Sequence, residues 1–127
     1  MSSISSYKDL LIWKRSKNLA VIIYDITTKF PKEELYGLTS QVRRSSISIP
    51  SNIAEGWGRE SDKNFSNFLK IAKGSLYELE TQLIIAAELN YFENSKYEEL
   101  SAEINELSKM MVSLINKIEK KYLITNS

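Results

Sequence analysis

The chain contains no histidine and no cysteine in 127 residues. Without them there is no Ser-His-Asp or Cys-His nucleophilic machinery, no zinc site of the usual ligand types and no Glu-x-x-His di-iron pattern. An enzyme built from this chain would have to work with carboxylates, lysine, tyrosine or arginine alone. No apolar run approaches the ~18 residues needed to span a membrane. The opening MSSISSYKDL lacks the basic flank, apolar stretch and small-residue cleavage site of a signal peptide. A soluble, cytoplasmic protein is expected. Net charge is nearly absent too: 17 Lys and Arg against 16 Asp and Glu leave +1. A nucleic-acid or membrane role must therefore rest on how charge is distributed, not on its total.

The hydrophobic content of 43% and charged content of 26% fit one globular domain. No internal repeat, low-complexity segment or domain boundary interrupts it. The apolar pattern has helical period throughout. Ser6 and Asp9 resemble a capping box, and Ile12, Ser16, Leu19, Ile23, Ile26 and Phe30 follow at alternating four- and three-residue steps. A second set, Trp13, Ala20 and Tyr24, widens this stripe and predicts a helix covered on two sides. Pro31 ends it. Lys32 to Gly37 reads as a turn. A second helix then carries Leu35, Leu38, Val42, Ser46, Ile49, Ile53 and Trp57 on its apolar arc, with Pro50 inside it and a kink expected there.

Gly56 and Gly58 are expected to supply a left-handed cap and a tight corner. Ser61 caps a third helix with a clean heptad at Phe65, Leu69, Ala72, Leu76, Leu79, Leu83 and Ala86, closed by Asn90. Gly74 interrupts another face of that helix and predicts a close approach by another backbone. Ser95 and Glu98 read as the capping box of a fourth helix, carrying Tyr97, Leu100, Ile104, Leu107, Met111, Leu114 and Ile118. Ile124 to Ser127 should fray. The expected fold is an all-α, antiparallel up-down-up-down four-helix bundle with helices at about 7–29, 38–56, 62–90 and 95–122.

Such a topology sorts the charges. The start of the first helix, the end of the second, the start of the third and the end of the fourth share one pole. Residues 1–19, 50–75 and 107–127 hold 12 Lys and Arg against 5 Asp and Glu, a net of +7. Residues 20–49 and 76–106 hold 5 against 11, a net of −6. Helix dipoles favour acidic starts and basic ends, which accounts for the fourth helix. The third helix runs the other way, with Lys63, Lys70 and Lys73 early and Glu78, Glu80 and Glu88 late. Lys14, Arg15, Lys17, Arg59, Lys63, Lys70 and Lys73 are thus the candidate phosphate contacts, against the plainer reading of a solvated, charge-segregated surface.

At about 100° per residue, Gln41, Arg44, Ser48, Asn52, Glu55 and Arg59 fall on one narrow polar face of the second helix. Arginine, amide, hydroxyl and carboxylate groups suit fixed hydrogen bonds. The small residues Ser45, Ser46, Ser48, Ser51, Ala54 and Gly56 would let another helix come close. The stripe is expected to be partly buried against the third helix or a second subunit, with Arg44 or Arg59 pairing to a carboxylate such as Glu55. A catalytic reading would take Glu55 as acid or base with Asn52 and Arg44 as anion stabilisers. It lacks a second carboxylate, a nucleophile and a phosphate cradle, so no catalytic residue, cofactor or metal is expected.

Several strings together resemble a known family: Leu11-Ile12-Trp13-Lys14, Phe30-Pro31, Tyr36-Gly37-Leu38-Thr39-Ser40-Gln41, Arg43-Arg44, Ser48-Ile49-Pro50-Ser51-Asn52-Ile53-Ala54-Glu55-Gly56, Gly58-Arg59 and Gly74-Ser75-Leu76-Tyr77-Glu78-Leu79-Glu80-Thr81-Gln82. The chain is similar over nearly its whole length to the 23S ribosomal RNA intervening-sequence proteins. It departs at Ser45-Ser46, where alanines are common. The resemblance implies an all-α bundle assembling as a ring-like homopentamer, bacterial genes lodged in insertions within ribosomal RNA genes, and a likeness to the accessory bundle proteins of diversity-generating retroelements, which bind nucleic acid. It implies no catalytic residues. The expected role is a homo-oligomeric scaffold or adaptor that binds RNA or DNA weakly through its basic pole. The alternative is an assembly module whose partner is another protein.

Overall fold

In a computed structural model, residues 4–125 of the chain are described. Four helices make up the architecture: α1 (Leu11–Thr27), α2 (Leu38–Gly58), α3 (Asp62–Glu88) and α4 (Asn94–Thr125). Single 3-10 turns at Tyr7–Asp9 and Lys32–Glu34 precede α1 and α2, and there is no strand among the described residues. No helix there is long and apolar enough to cross a membrane.

The helices pack in a closed circuit, α1 on α2, α2 on α3, α3 on α4 and α4 back on α1. The expected periodic positions form the shared core. All seven α3 heptad residues are buried, as are Ile12, Leu19, Ile23 and Ile26 of α1, Val42, Ile49 and Ile53 of α2, and Leu100, Ile104, Leu107, Met111 and Ile118 of α4. Burying each such side chain is worth roughly 1.5–3 kcal/mol. Other positions differ from the pattern: Trp13, Leu38, Trp57 and Tyr97 are half-buried, and Tyr24, expected to be covered, is exposed. Leu35 lies in the turn ahead of α2 and is exposed, and Ile115 takes the buried place on α4 while Leu114 is only half-buried.

The ends of the helices follow local chemistry that the periodicity did not resolve. Ser6 and Asp9 do form a capping box, but it closes the separate Tyr7–Asp9 turn. Leu10 is extended and α1 starts anew at Leu11 without a side-chain cap, while the Asp9 carboxylate accepts from the Ser5 and Ser6 amides. On α4, the Tyr97 amide donates to the Glu93 carbonyl, so helical bonding begins before Ser95 and the expected Ser95–Glu98 box is not the cap. That helix runs on to Thr125; Asn126 and Ser127, on which the expected fraying also falls, lie outside the described residues. Ser61 caps α3 by accepting from the Asn64 amide at 3.1 Å. Asn90, at φ 60°, closes it with a Schellman pair, its amide on the Ala87 carbonyl and that of Tyr91 on the Ala86 carbonyl.

The glycines correct two expectations. No glycine takes a positive φ; the left-handed residue at the α2–α3 corner is Glu60, at φ 57°. Gly56 instead lies inside α2 at its closest approach to α3, where a Cβ would sit 2.6 Å from Phe68 Cβ. Gly74, expected to mark such an approach, has no described atom outside its own stretch of helix backbone within 4 Å of the place a Cβ would occupy.

At the end where α1 gives way to α2 and α3 to α4, Phe30 packs between Tyr91 (centroids 5.4 Å) and Phe92 (6.1 Å). The Tyr91 hydroxyl donates to Glu34 at 2.8 Å, and the other Glu34 oxygen accepts from the Leu38 amide at the start of α2. One carboxylate thus ties both connections together. The Tyr91 hydroxyl bond, followed by the Leu38 amide, holds Glu34 below the usual carboxylate range and raises Tyr91.

Candidate nucleic-acid interface

The seven candidate cations separate into two groups once the helices meet. Arg15 is half-buried on the α1–α4 seam. Its Nε donates to Glu103 at 3.0 Å, a second nitrogen bonds the other carboxylate oxygen, and another lies 3.5 Å from the Met110 sulfur. The fork-on-carboxylate geometry raises the Arg15 pKa further, Glu103 being the main cause. Lys70 pairs with Glu119 of α4, which also accepts from the buried Ser66 hydroxyl. Those contacts, Lys70 first, hold Glu119 below its ordinary value. Arg59 bonds Glu55 one turn back at 2.9 Å and lies 5.1 Å from the Phe68 ring centroid. These three are engaged within the chain.

Lys14, Lys17, Lys63 and Lys73 form no ion pair within 4 Å among the described residues, although the charges of Lys14 and Lys73 reach Asp9 and Glu119. Lys14, Lys17 and Lys63 are exposed and Lys73 is half-buried. Lys17 donates to Asn18 and stands 5.9 Å from the Trp13 ring centroid.

The polar stripe of α2 is not one unit. Its middle meets α3: the Ser48 and Ser75 hydroxyls share a 2.9 Å hydrogen bond, and the Asn52 amide donates to both the carbonyl and the hydroxyl of Ser48. Glu55 and Arg59 pair with each other on the exposed side. Gln41 and Arg44 are exposed at the other end. Arg44 and Glu55 are 11 residues apart, about 16 Å of helix, so Glu55, Asn52 and Arg44 do not converge on one small substrate.

Sequence reasoning missed the roles of five residues. Ser45 and Gln82 are both buried and joined at 2.7 Å, extending the α2–α3 polar seam inward. Arg43 clamps α1, donating from Nε to Thr27 Oγ1 at 2.7 Å with its guanidinium 4.8 Å from the Tyr24 ring centroid. Glu103 and Glu119 neutralise two candidate cations. The only signal available for Arg43 was its angular place on α2, rotated about 100° from Arg44 toward the first helix. The glutamates carried none, being 88 and 49 residues from their partners.

Among the described residues no group of three or more His, Cys, Asp or Glu could hold a metal ion. Recesses exist, such as one of about 610 Å³ lined by Lys29, Asn90, Tyr91, Phe92 and Lys96, but that one is an open surface hollow. What the geometry presents is surface: lysines outside close ion pairs, half-exposed aromatic rings and an all-helical frame that carries them.

The class is therefore an all-helical protein of four helices around a single core, its distinctive chemistry confined to its surfaces. The chain belongs to the 23S rRNA-intervening sequence protein family, whose model matches residues 8–113. It is also similar to a crystal structure of a protein of unknown function from the S23 ribosomal protein family of Bacteroides thetaiotaomicron. That similarity has 27% identity and a TM-score of 0.77, covering 84% of this chain and 96% of the other. No curated protein matches the chain.

Proposed function

We propose that this protein is a non-enzymatic, homo-oligomeric four-helix bundle of the cytoplasm, serving as a scaffold or adaptor that binds RNA or DNA weakly through a basic pole. In this reading the helices run up-down-up-down and α2 bends at Pro50, whose ring replaces the amide that would bond the Ser46 carbonyl. Two pairings support the antiparallel course: Phe30 lies beside Phe92, and Leu10, Leu11 and Ile12 share a groove with Met110, Ser113 and Leu114. That course gathers Lys14, Lys17, Lys63 and Lys73 toward the end whose segments carry +7. The observation that carries the reading is that, among the described residues, these four lysines form no close ion pair while Arg15, Lys70 and Arg59 do.

Self-association is supported by the outer face of α3. Ile71, Tyr77, Ile84, Ile85 and Leu89 are exposed there, and a mid-helix glycine that costs about 1 kcal/mol against alanine has open space beside it at Gly74. A second copy filling that face accounts for both, and it agrees with the homopentamer that the family resemblance implies. In a ring, repeated basic poles multiply a weak contact. The same apolar face favours the second reading, an assembly module whose partner is another protein.

Fluorescence anisotropy with structured RNA over a salt series tests the first reading. Affinity should fall linearly in log salt, and Lys63→Glu with Lys73→Glu should weaken binding and flatten the slope by roughly 0.9 per lost phosphate contact. Absence of binding at low salt would leave the second reading alone. Light scattering checks the oligomer, and a monomer would remove self-association from both.

A further inference from the structure

Besides the lysines of α3, the structure holds a column of rings and cations on the flank of α1 that faces α2. Trp13, Lys17 and Tyr24 are spaced four and seven residues apart, which places them within about 40° of one another around the helix. Tyr7, from the turn ahead of α1, meets Trp13 edge-on at 5.2 Å and 67°. Lys17 overhangs the Trp13 ring. Arg43, crossing from α2, lies against Tyr24 and is held there by the Thr27 hydroxyl and the Tyr24 carbonyl. Trp13 is half-buried and Tyr24 is 40% exposed, so both rings keep a surface that the packing of the helices does not use. Exposed Lys14 stands beside Trp13. Two acids border the column on the side of Lys14: Asp9, which accepts from the Ser5 and Ser6 amides and also feels the Lys14 charge, and Asp25, about 100° from Tyr24 around the helix. Lys17 and Arg43 form no ion pair among the described residues.

The geometry points to a path for a single-stranded polynucleotide along this flank, with bases stacking on Trp13 and on the Tyr24–Arg43 pair while phosphates meet Lys14 and Lys17. This rests on the nucleic-acid reading above and narrows it. A basic surface alone attracts any phosphate backbone, but aromatic faces can be used only by bases not already stacked in a duplex. A guanidinium held over a tyrosine ring offers both a cation and a π surface to single-stranded bases. From Trp13 to Tyr24 is about 16 Å of helix, room for about four or five nucleotides at the ~3.4 Å stacked spacing of a strand. The flank belongs to α1, and the apolar face assigned to self-association belongs to α3.

The two tryptophans give a direct test. Trp57→Phe retains an aromatic edge against Phe65, the present contact having centroids 5.9 Å apart, and leaves Trp13 as the sole indole. Oligo(dT) and oligo(U) decamers are titrated at low salt against a hairpin duplex of matched length. Trp13 fluorescence is read together with the anisotropy of the labelled strand. Saturable quenching by either single strand, and none by the duplex stem, is the expected result. Tyr24→Leu and Lys17→Gln should each weaken single-strand binding at least about fivefold. Lys17→Gln is a surface change, so the test stands even if Tyr24→Leu loosens the Arg43 clamp. Single-strand binding seen by anisotropy with Trp13 fluorescence unchanged, and with both variants at wild-type affinity, would overturn the path while leaving the basic pole intact. Failure of every strand, single or duplex, to bind would overturn both.

Discussion

Replacing Gly56 with alanine adds one methyl group at the tightest point between α2 and α3. An ideal Cβ there lies 2.6 Å from Phe68 Cβ and 3.1 Å from Phe65 Cδ1, against the ~3.5–4.0 Å at which carbon atoms rest. The Phe65 ring can tilt. The Phe68 Cβ is fixed to the α3 backbone, so no rotamer change removes it and the helices must part by about 1 Å. Parting them strains the Ser48–Ser75 hydrogen bond and the buried Ser45–Gln82 bond on the same seam. Overpacking of this kind costs about 1–3 kcal/mol, more with the seam strained, while alanine returns about 1 kcal/mol of helix propensity. The net expectation is a loss of about 1–2 kcal/mol, or a melting temperature lower by roughly 4–8 °C for a domain of this size. Gly74→Ala is the matched control. It gains the same propensity and meets nothing within 4 Å, so at protein concentrations low enough to separate the subunits it should melt a few degrees higher. Far-ultraviolet circular dichroism melts of the two variants decide the matter. A Gly56→Ala protein as stable as the wild type would refute the argument from close approach.

Glu60 holds a left-handed conformation without the freedom of glycine; Glu60→Gly should stabilise the chain by about 0.5 kcal/mol, the relief of strain exceeding the entropy that glycine adds to the unfolded state. That appears as a higher urea midpoint with an unchanged slope. Glu34 and Glu119 both titrate below their ordinary value of 4.5 in the folded protein. The unfolded chain therefore takes up protons first: their stabilisation is fully present above about 4.5 and is lost as pH falls through the folded values. Melting temperature should drop across that acid window, and the drop should be smaller in Glu34→Gln, whose side chain no longer titrates. An equal drop in wild type and variant would show that the Tyr91–Glu34–Leu38 tie does not contribute.

The periodicity of the sequence was enough to place all four helices and nearly every core residue, because the 3.6-residue period of a helix leaves its mark locally, in the chain itself. Ser61 and Asn90 were legible as boundaries for the same reason: a hydroxyl that caps amides three residues on, and an amide side chain that tolerates φ 60°, act on their own neighbourhood. The family was legible as well, in the run from Ser48 to Gly56. What could not be read locally was how each polar or glycine position is used. Gly56 and Gly74 have the same intrinsic preferences, yet only the meeting of α2 with α3 makes one indispensable and leaves the other open. Lys70 and Lys63 lie on nearly the same face of α3, one turned to Glu119 and the other without an acidic partner. Arg43 and Arg44 are adjacent in sequence, and only the docking of α1 turns one of them into a clamp on Tyr24. Local chemistry determined the helices; contacts between residues tens of positions apart decided which side chains remain available to a partner.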